Sequence, residues 1–162
     1  MKIRKATEKD YGVFAELTEK NHSYIVGVDK WKMMKVGTGY KKLAAQNYIE
    51  DVKMHDGVIL VAETKNKIIG CAVATLSVSS ELIKTKYKKE YLKTGFIKNV
   101  FVEETFRGQG IGSKIVGELE KYLKEKGCPT VHLEVFAPNT NALKIYNNIG
   151  YQDHSRILIK IL

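Results

Sequence analysis

Apolar positions along this chain switch between two periods. Val13, Phe14 and Leu17 form the stripe of a helix that the pattern carries to about residue 21. Residues 2–7 predict a short first strand. Thr7 stands as the helix N-cap, with Asp10 in an acidic first turn. Residues 22–39 are less regular and hold Gly27, Gly37 and Gly39, which predicts a loop with a short helical piece. Leu43, Ala44, Asn47, Tyr48 and Val52 then predict a second helix over 40–54. From Gly57 the period changes. GVILVAET and IIGCAVATLSV are β-branched apolar runs, and Asn66-Lys67 between them predicts the turn of a β-hairpin. Residues 81–94, ELIKTKYKKEYLKT, are basic with apolar residues at loosely helical intervals, a short helix or a mobile insertion. Residues 96–102 predict a strand. Residues 111, 115, 116, 119, 122 and 123 make a 3.6-residue stripe, so 111–126 predicts a helix, closed by Gly127 and Pro129. A strand over 130–136, a helix over 141–148 stopped by Gly150, and a final alternating strand in SRILIKIL complete the pattern.

The order is therefore β-α-α-β-β-(α)-β-α-β-α-β. A strand-helix-strand unit forces a parallel pair, whereas the early strands pair as hairpins. The fold class this implies is α+β, with a mixed, mostly antiparallel central sheet flanked by helices. No linker, repeat or low-complexity stretch divides the chain, so residues 1–162 are expected to form one domain. Hydrophobic residues make up 44%, enough for a core, and no apolar run approaches the ~18 residues of a membrane span. The opening MKIRKATEKDYG has no apolar region of the secretory kind. Cys71 and Cys128 match neither zinc nor redox spacing and read as reduced thiols of a cytoplasmic protein. Net charge is +9, from 27 basic and 18 acidic residues. That balance attracts anions, either nucleic acid or a phosphorylated cofactor, or marks only a lysine-rich solubilising surface. No nucleic-acid-binding module is legible, so no specific nucleic-acid partner is expected.

Residues 100–114, VFVEETFRGQGIGSK, place Gly108, Gly110 and Gly112 between a strand and a helix. The first amides of a helix lack internal partners and carry positive potential. Glycines let an anion approach them, and Arg107 and Lys114 add formal charge. The pattern points to a phosphate or pyrophosphate, although glycines also serve tight turns. Neither the Walker motif nor the dinucleotide fingerprint is present.

Two further patterns narrow the choice. V-x-x-x-x-R-x-x-G-x-G fits Val102 to Gly112, and N-x-x-A-x-x-x-Y fits Asn139 to Tyr146, followed by Gly150-Tyr151. In these residues the chain resembles the GCN5-related N-acetyltransferase (GNAT) superfamily. The resemblance implies that family's fold, with splayed parallel strands at the cofactor site, and transfer of an acyl group from acetyl-CoA to a primary amine in a ternary complex. It implies that the backbone of Arg107, Gly108, Gln109, Gly110, Ile111, Gly112 and Ser113 cradles the pyrophosphate. Val100, Phe101 and Val102 would pair with the pantetheine arm, between this strand and 130–136, and a backbone amide there would polarise the thioester. Tyr146 would protonate the leaving thiolate, and Asn139 would bond the arm or cap its helix. Many members carry a carboxylate mid-strand where this chain has Lys98 and Asn99. Glu134, expected mid-strand, is the candidate base, with Glu103, Glu104, Glu63, His55 and His132 open. The implied cosubstrate is acetyl-CoA, without a metal, and the partner a small-molecule or peptide amine, with no membrane. Acceptor contacts would fall in 22–40 and 81–95, where Tyr24, Trp31, Tyr40, Tyr87 and Tyr91 line a pocket or are simply buried. Oligomeric state is open, homodimers being frequent in the family. The competing function is a catalytically silent acyl-CoA-binding regulatory domain.

Overall fold

Val58 to Ala62 are all buried, because their strand is covered on both faces. The computed structural model of the protein describes residues 1–78 and 80–161. Strand β1 is Lys2–Lys5, β2 Val58–Thr64, β3 Lys67–Val78, β4 Lys93–Val102 and β5 Thr130–Leu133. They form one sheet in the order β1-β2-β3-β4-β5, antiparallel except for the parallel β4–β5 pair. Helix α1 is Tyr11–Val28, α2 Tyr40–Met54, α3 Glu81–Lys84, α4 Ile111–Glu125 and α5 Thr140–Asn148.

Side chains alternate across a strand, so each strand feeds two cores. Val58, Leu60 and Ala62 join Ala72, Ala74 and Leu76 under Ile115, Val116, Leu119 and Leu123 of α4. Ile59, Val61, Cys71 and Val73 face the other way, onto Phe14 and Leu17 of α1 and Ala45 of α2. The continuous apolar runs in β2 and β3 are the sequence form of this two-sided burial. Both cysteines are buried free thiols, and burial pushes Cys71 well up from its ordinary value.

Four expectations are revised. The hairpin turns at Lys65-Asn66, both at positive φ (47° and 60°), rather than at Asn66-Lys67. That pair of left-handed residues matches the twist of the flanking strands. Helix α1 runs on to Val28 rather than stopping near residue 21. It follows a 3-10 turn, Glu8–Asp10, in which Asp10 accepts bonds from the Thr7 amide and hydroxyl at 2.7 and 2.8 Å. Tyr87 and Tyr91 are exposed, so ring burial does not explain them. Finally, no strand forms over the described residues 151–161: Ile157 and Leu158 are 87% and 90% exposed. Alternation makes a strand only where a sheet edge accepts it, and β5 offers four residues of edge. The tail touches β5 through His154, whose ring lies 5.4 Å from that of His132. Among the described residues no helix is long and apolar enough to cross a membrane.

Candidate active site

The site begins with a mismatch between β3 and β4. Val73 pairs with Lys98 and Cys71 with Phe101, so β4 carries one residue more than β3 over this stretch. The extra residue is a β-bulge, and it reverses the inside-outside parity of the strand. Ile97 packs toward α4, yet Phe101, four positions on, packs toward α1. Val100 and Val102 turn toward α4 instead. Asn99 sits in the bulge at φ 52°. Its amide is clamped from α1: its Nδ2 donates to Thr18 Oγ1 at 2.8 Å, and Asn21 Nδ2 donates to its Oδ1 at 2.9 Å. Pairing of β4 with β5 ends at Ile97–Leu133, where the bulge begins. Beyond that point residues 98–102 have no β5 pairing partner among the described residues, which leaves a gap in the parallel pairing.

The glycine loop leaves β4 directly. Gly108 and Gly110 adopt φ of 77° and 70°, a region that disfavours side chains, and a Cβ on either would meet nothing within 4 Å. Gly110 is the N-cap of α4 and no side chain caps it. The first α-helical bond runs from Lys114 N to Gly110 O, 3.1 Å, so the amides of residues 111–113 precede the helical ladder. Gly112 has an ordinary helical role: a Cβ there would rest 3.9 Å from Val102. An uncapped, unobstructed helix mouth of this kind is built to take an anion.

Arg107 folds back from the loop. Its Nε donates to Val102 O at 3.0 Å, and its guanidinium lies 5.1 Å from the Tyr24 ring and 5.5 Å from the Phe101 ring. Tyr24 Oη in turn donates to Asn139 Oδ1 at 3.3 Å. Asn139 is buried and also accepts from Ala142 N at 3.2 Å, so it caps α5. One chain of contacts thus joins Phe101, Arg107, Tyr24 and Asn139 across the gap, from α1 to the start of α5. Tyr24 was legible only as one aromatic among several. The spacing Phe14, Leu17, Asn21, Tyr24 continues the α1 stripe and is the signal that places it.

Tyr146, on α5, packs against the α4-side core, as do Val100 and Val102, with the Tyr151 ring 5.9 Å away. Burial pushes its phenol above the ordinary value, so it is protonated at neutral pH and can act as a donor. Glu134 does not lie mid-strand: β5 stops at Leu133, and Glu134 is exposed just past it. The sheet hydrogen bonds that would extend β5 are lost because β4 bulges away. Glu134 is engaged in no hydrogen bond or ion pair among the described residues. Glu104 is exposed and its side chain likewise makes no ion pair among the described residues, whereas three other candidates are occupied. Glu103 accepts Lys20, Glu63 accepts Arg4, and His55 is bonded to Asp51. Burial, aided by His154, holds His132 below its ordinary value, but it pairs with Phe96 inside the closed part of the strand pair.

The fold has counterparts among known proteins. A family model, that of the acetyltransferase (GNAT) family, matches residues 13–151. A Methanocaldococcus jannaschii protein described as an uncharacterized N-acetyltransferase is 27% identical over 151 residues. The match takes in 93% of this chain but 60% of that protein, so the chain spans about three fifths of its length. The crystal structure of a mutant BH1408 protein from Bacillus halodurans superposes with a TM-score of 0.85 at 25% identity, over 100% of this chain and 99% of that one. A predicted acetyltransferase with acetyl-CoA from Clostridium acetobutylicum superposes with a TM-score of 0.74 at 20% identity, over 99% and 95% of the two chains. At that identity the likeness is one of fold.

Proposed function

This chain belongs to the acetyltransferase (GNAT) family, and on that premise we propose that it transfers an acetyl group from acetyl-CoA to a primary amine, directly, in a ternary complex. One observation carries the reading. At the end of β4 a strand gap and an uncapped helix mouth meet, and a pantetheine diphosphate has the extended, amide-rich arm and the double negative charge that fit the two.

The backbone amides from Arg107 to Ser113 hold the pyrophosphate, with Lys114 and a reoriented Arg107 supplying charge. Val100, Phe101 and Val102 offer the arm the strand edge that β5 leaves unpaired, with Val102 O released once Arg107 swings away. A fixed amide on this strand stabilises the oxyanion as it develops. The amine forms the new C–N bond at the thioester carbon while the C–S bond breaks. Tyr146 gives its phenolic proton to the sulfur and is reprotonated by the second proton that the amine nitrogen sheds as the amide forms. A thiolate of pKa ~8.5 leaves with modest help, which a phenol can supply. Glu134, unengaged at the head of the gap, takes the proton from the incoming ammonium. The acceptor is a small-molecule or peptide amine entering from the α1 side.

The test combines binding and thiol release with acetyl-CoA and a panel of amines. Tyr146→Phe is expected to keep CoA affinity and lose turnover by about 10²-fold; unchanged turnover removes Tyr146 from the mechanism. Arg107→Glu is expected to weaken CoA binding at least tenfold by calorimetry, and an unaltered dissociation constant would discredit the loop assignment. CoA binding without thiol release by any amine would favour the silent acyl-CoA-binding alternative.

A further inference from the structure

Arg107 is an exposed cation that makes no ion pair among the described residues. Glu103 is four positions away, yet its carboxylate is taken by Lys20. The guanidinium instead lies within 6 Å of two aromatic faces, the range in which a ring attracts a cation. Neither ring depends on Arg107 for its position. Phe101 is 7% exposed and anchored in the α1-side core, and Tyr24 is tied to Asn139. The rings are therefore a preformed cation site, filled by the chain itself.

We propose that Tyr24 and Phe101 form a two-ring site for a cationic amine, which Arg107 occupies until an anion at the glycine loop draws its guanidinium away. The proposal rests on the assignment of that loop to pyrophosphate. Arg107 immediately precedes Gly108, so rotation about its own side chain carries it from the rings to the loop mouth. One charge cannot serve both places. Its present bond to Val102 O also uses the strand end assigned to the cosubstrate's arm. The site selects positively charged acceptors, because its resident occupant is a cation.

The experiment titrates tetramethylammonium while following the Tyr24 and Phe101 ring signals by NMR. Wild-type protein alone is expected to bind it weakest. Wild type saturated with CoA, and Arg107→Ala without CoA, are each expected to bind about fivefold more tightly. Tyr24→Leu should abolish the gain in both settings. Arg107→Gln repeats the comparison should Arg107→Ala disturb the loop. If neither Arg107 variant binds the cation more tightly than wild type, the proposal is overturned. Failure of CoA to bind wild type overturns the loop assignment and the switching with it, while the Arg107 variants, measured without CoA, still test the ring site by itself.

Discussion

Asn99 holds a backbone conformation that costs most residues about 1–2 kcal/mol and that asparagine tolerates better than others. Its amide also makes two bonds to α1. Asn99→Ala is therefore expected to lose about 2–3 kcal/mol of stability, adding backbone strain to the missing bonds. Asn99→Gly keeps the conformation and is expected to lose about half of that; denaturant midpoints read the difference. A glycine variant less stable than the alanine variant would show that strain is not the issue. At this scale the left-handed Gly108 and Gly110 and the capping Asn139 were legible in local backbone chemistry, whereas Arg107 and Tyr146 drew their roles from the family resemblance, and those roles belong to the proposal. Asn99 was legible only as a missing carboxylate. Its left-handed backbone follows from a length mismatch between two strands, which no local pattern encodes.

The elements themselves were mostly legible where a period repeats. The α4 stripe and the two apolar runs of the hairpin each bury the faces their patterns require. Boundaries depended on neighbours. Three glycines, Gly57, Gly70 and Gly95, mark where elements press together, and two of them differ in what they press on. A Cβ on Gly57 would stand 2.4 Å from the Ala74 backbone oxygen, while one on Gly95 would stand 2.5 Å from the Leu123 Cδ1. A side-chain tip can rotate away and a strand backbone cannot. Gly95→Ala should cost about 1–3 kcal/mol, the usual range for overpacking, and Gly57→Ala more. Thermal unfolding of the two variants measures the order; equal losses would mean that the β3 backbone yields as easily as Leu123. The tail shows the opposite case. Its alternation is as regular as any in the chain, but residues 155–161 lie against no face that would bury it.

Across the whole molecule, carboxylates tie the outer strands and helices together. The Arg4 guanidinium, bonded at 2.7 and 2.9 Å, holds Asp10 far below the ordinary carboxylate range, and Arg4 reaches Glu63 on β2 as well. Burial alone would raise Asp51, but bonds from Lys98 and His55 hold it low. Both carboxylates have folded values below their unfolded values of ~3.9, so they contribute stability fully above that value. The contribution is lost as pH falls through the folded values. Wild-type protein should thus be markedly easier to denature at pH 3 than at pH 7. Asp10→Asn should be less stable at pH 7 and show a smaller fall; identical pH profiles would remove Asp10 from the acid response. What the sequence by itself determined was the order of elements as far as α5, the two-sided burial of the central strands and the glycine loop at the mouth of α4. Each of these follows from periodicity or backbone freedom within a few neighbouring residues. Only the tertiary structure decided the parity switch in β4, the gap it opens against β5 and the meeting of Arg107, Phe101, Tyr24 and Asn139. Those depend on how segments far apart in the chain are matched in length and brought into register.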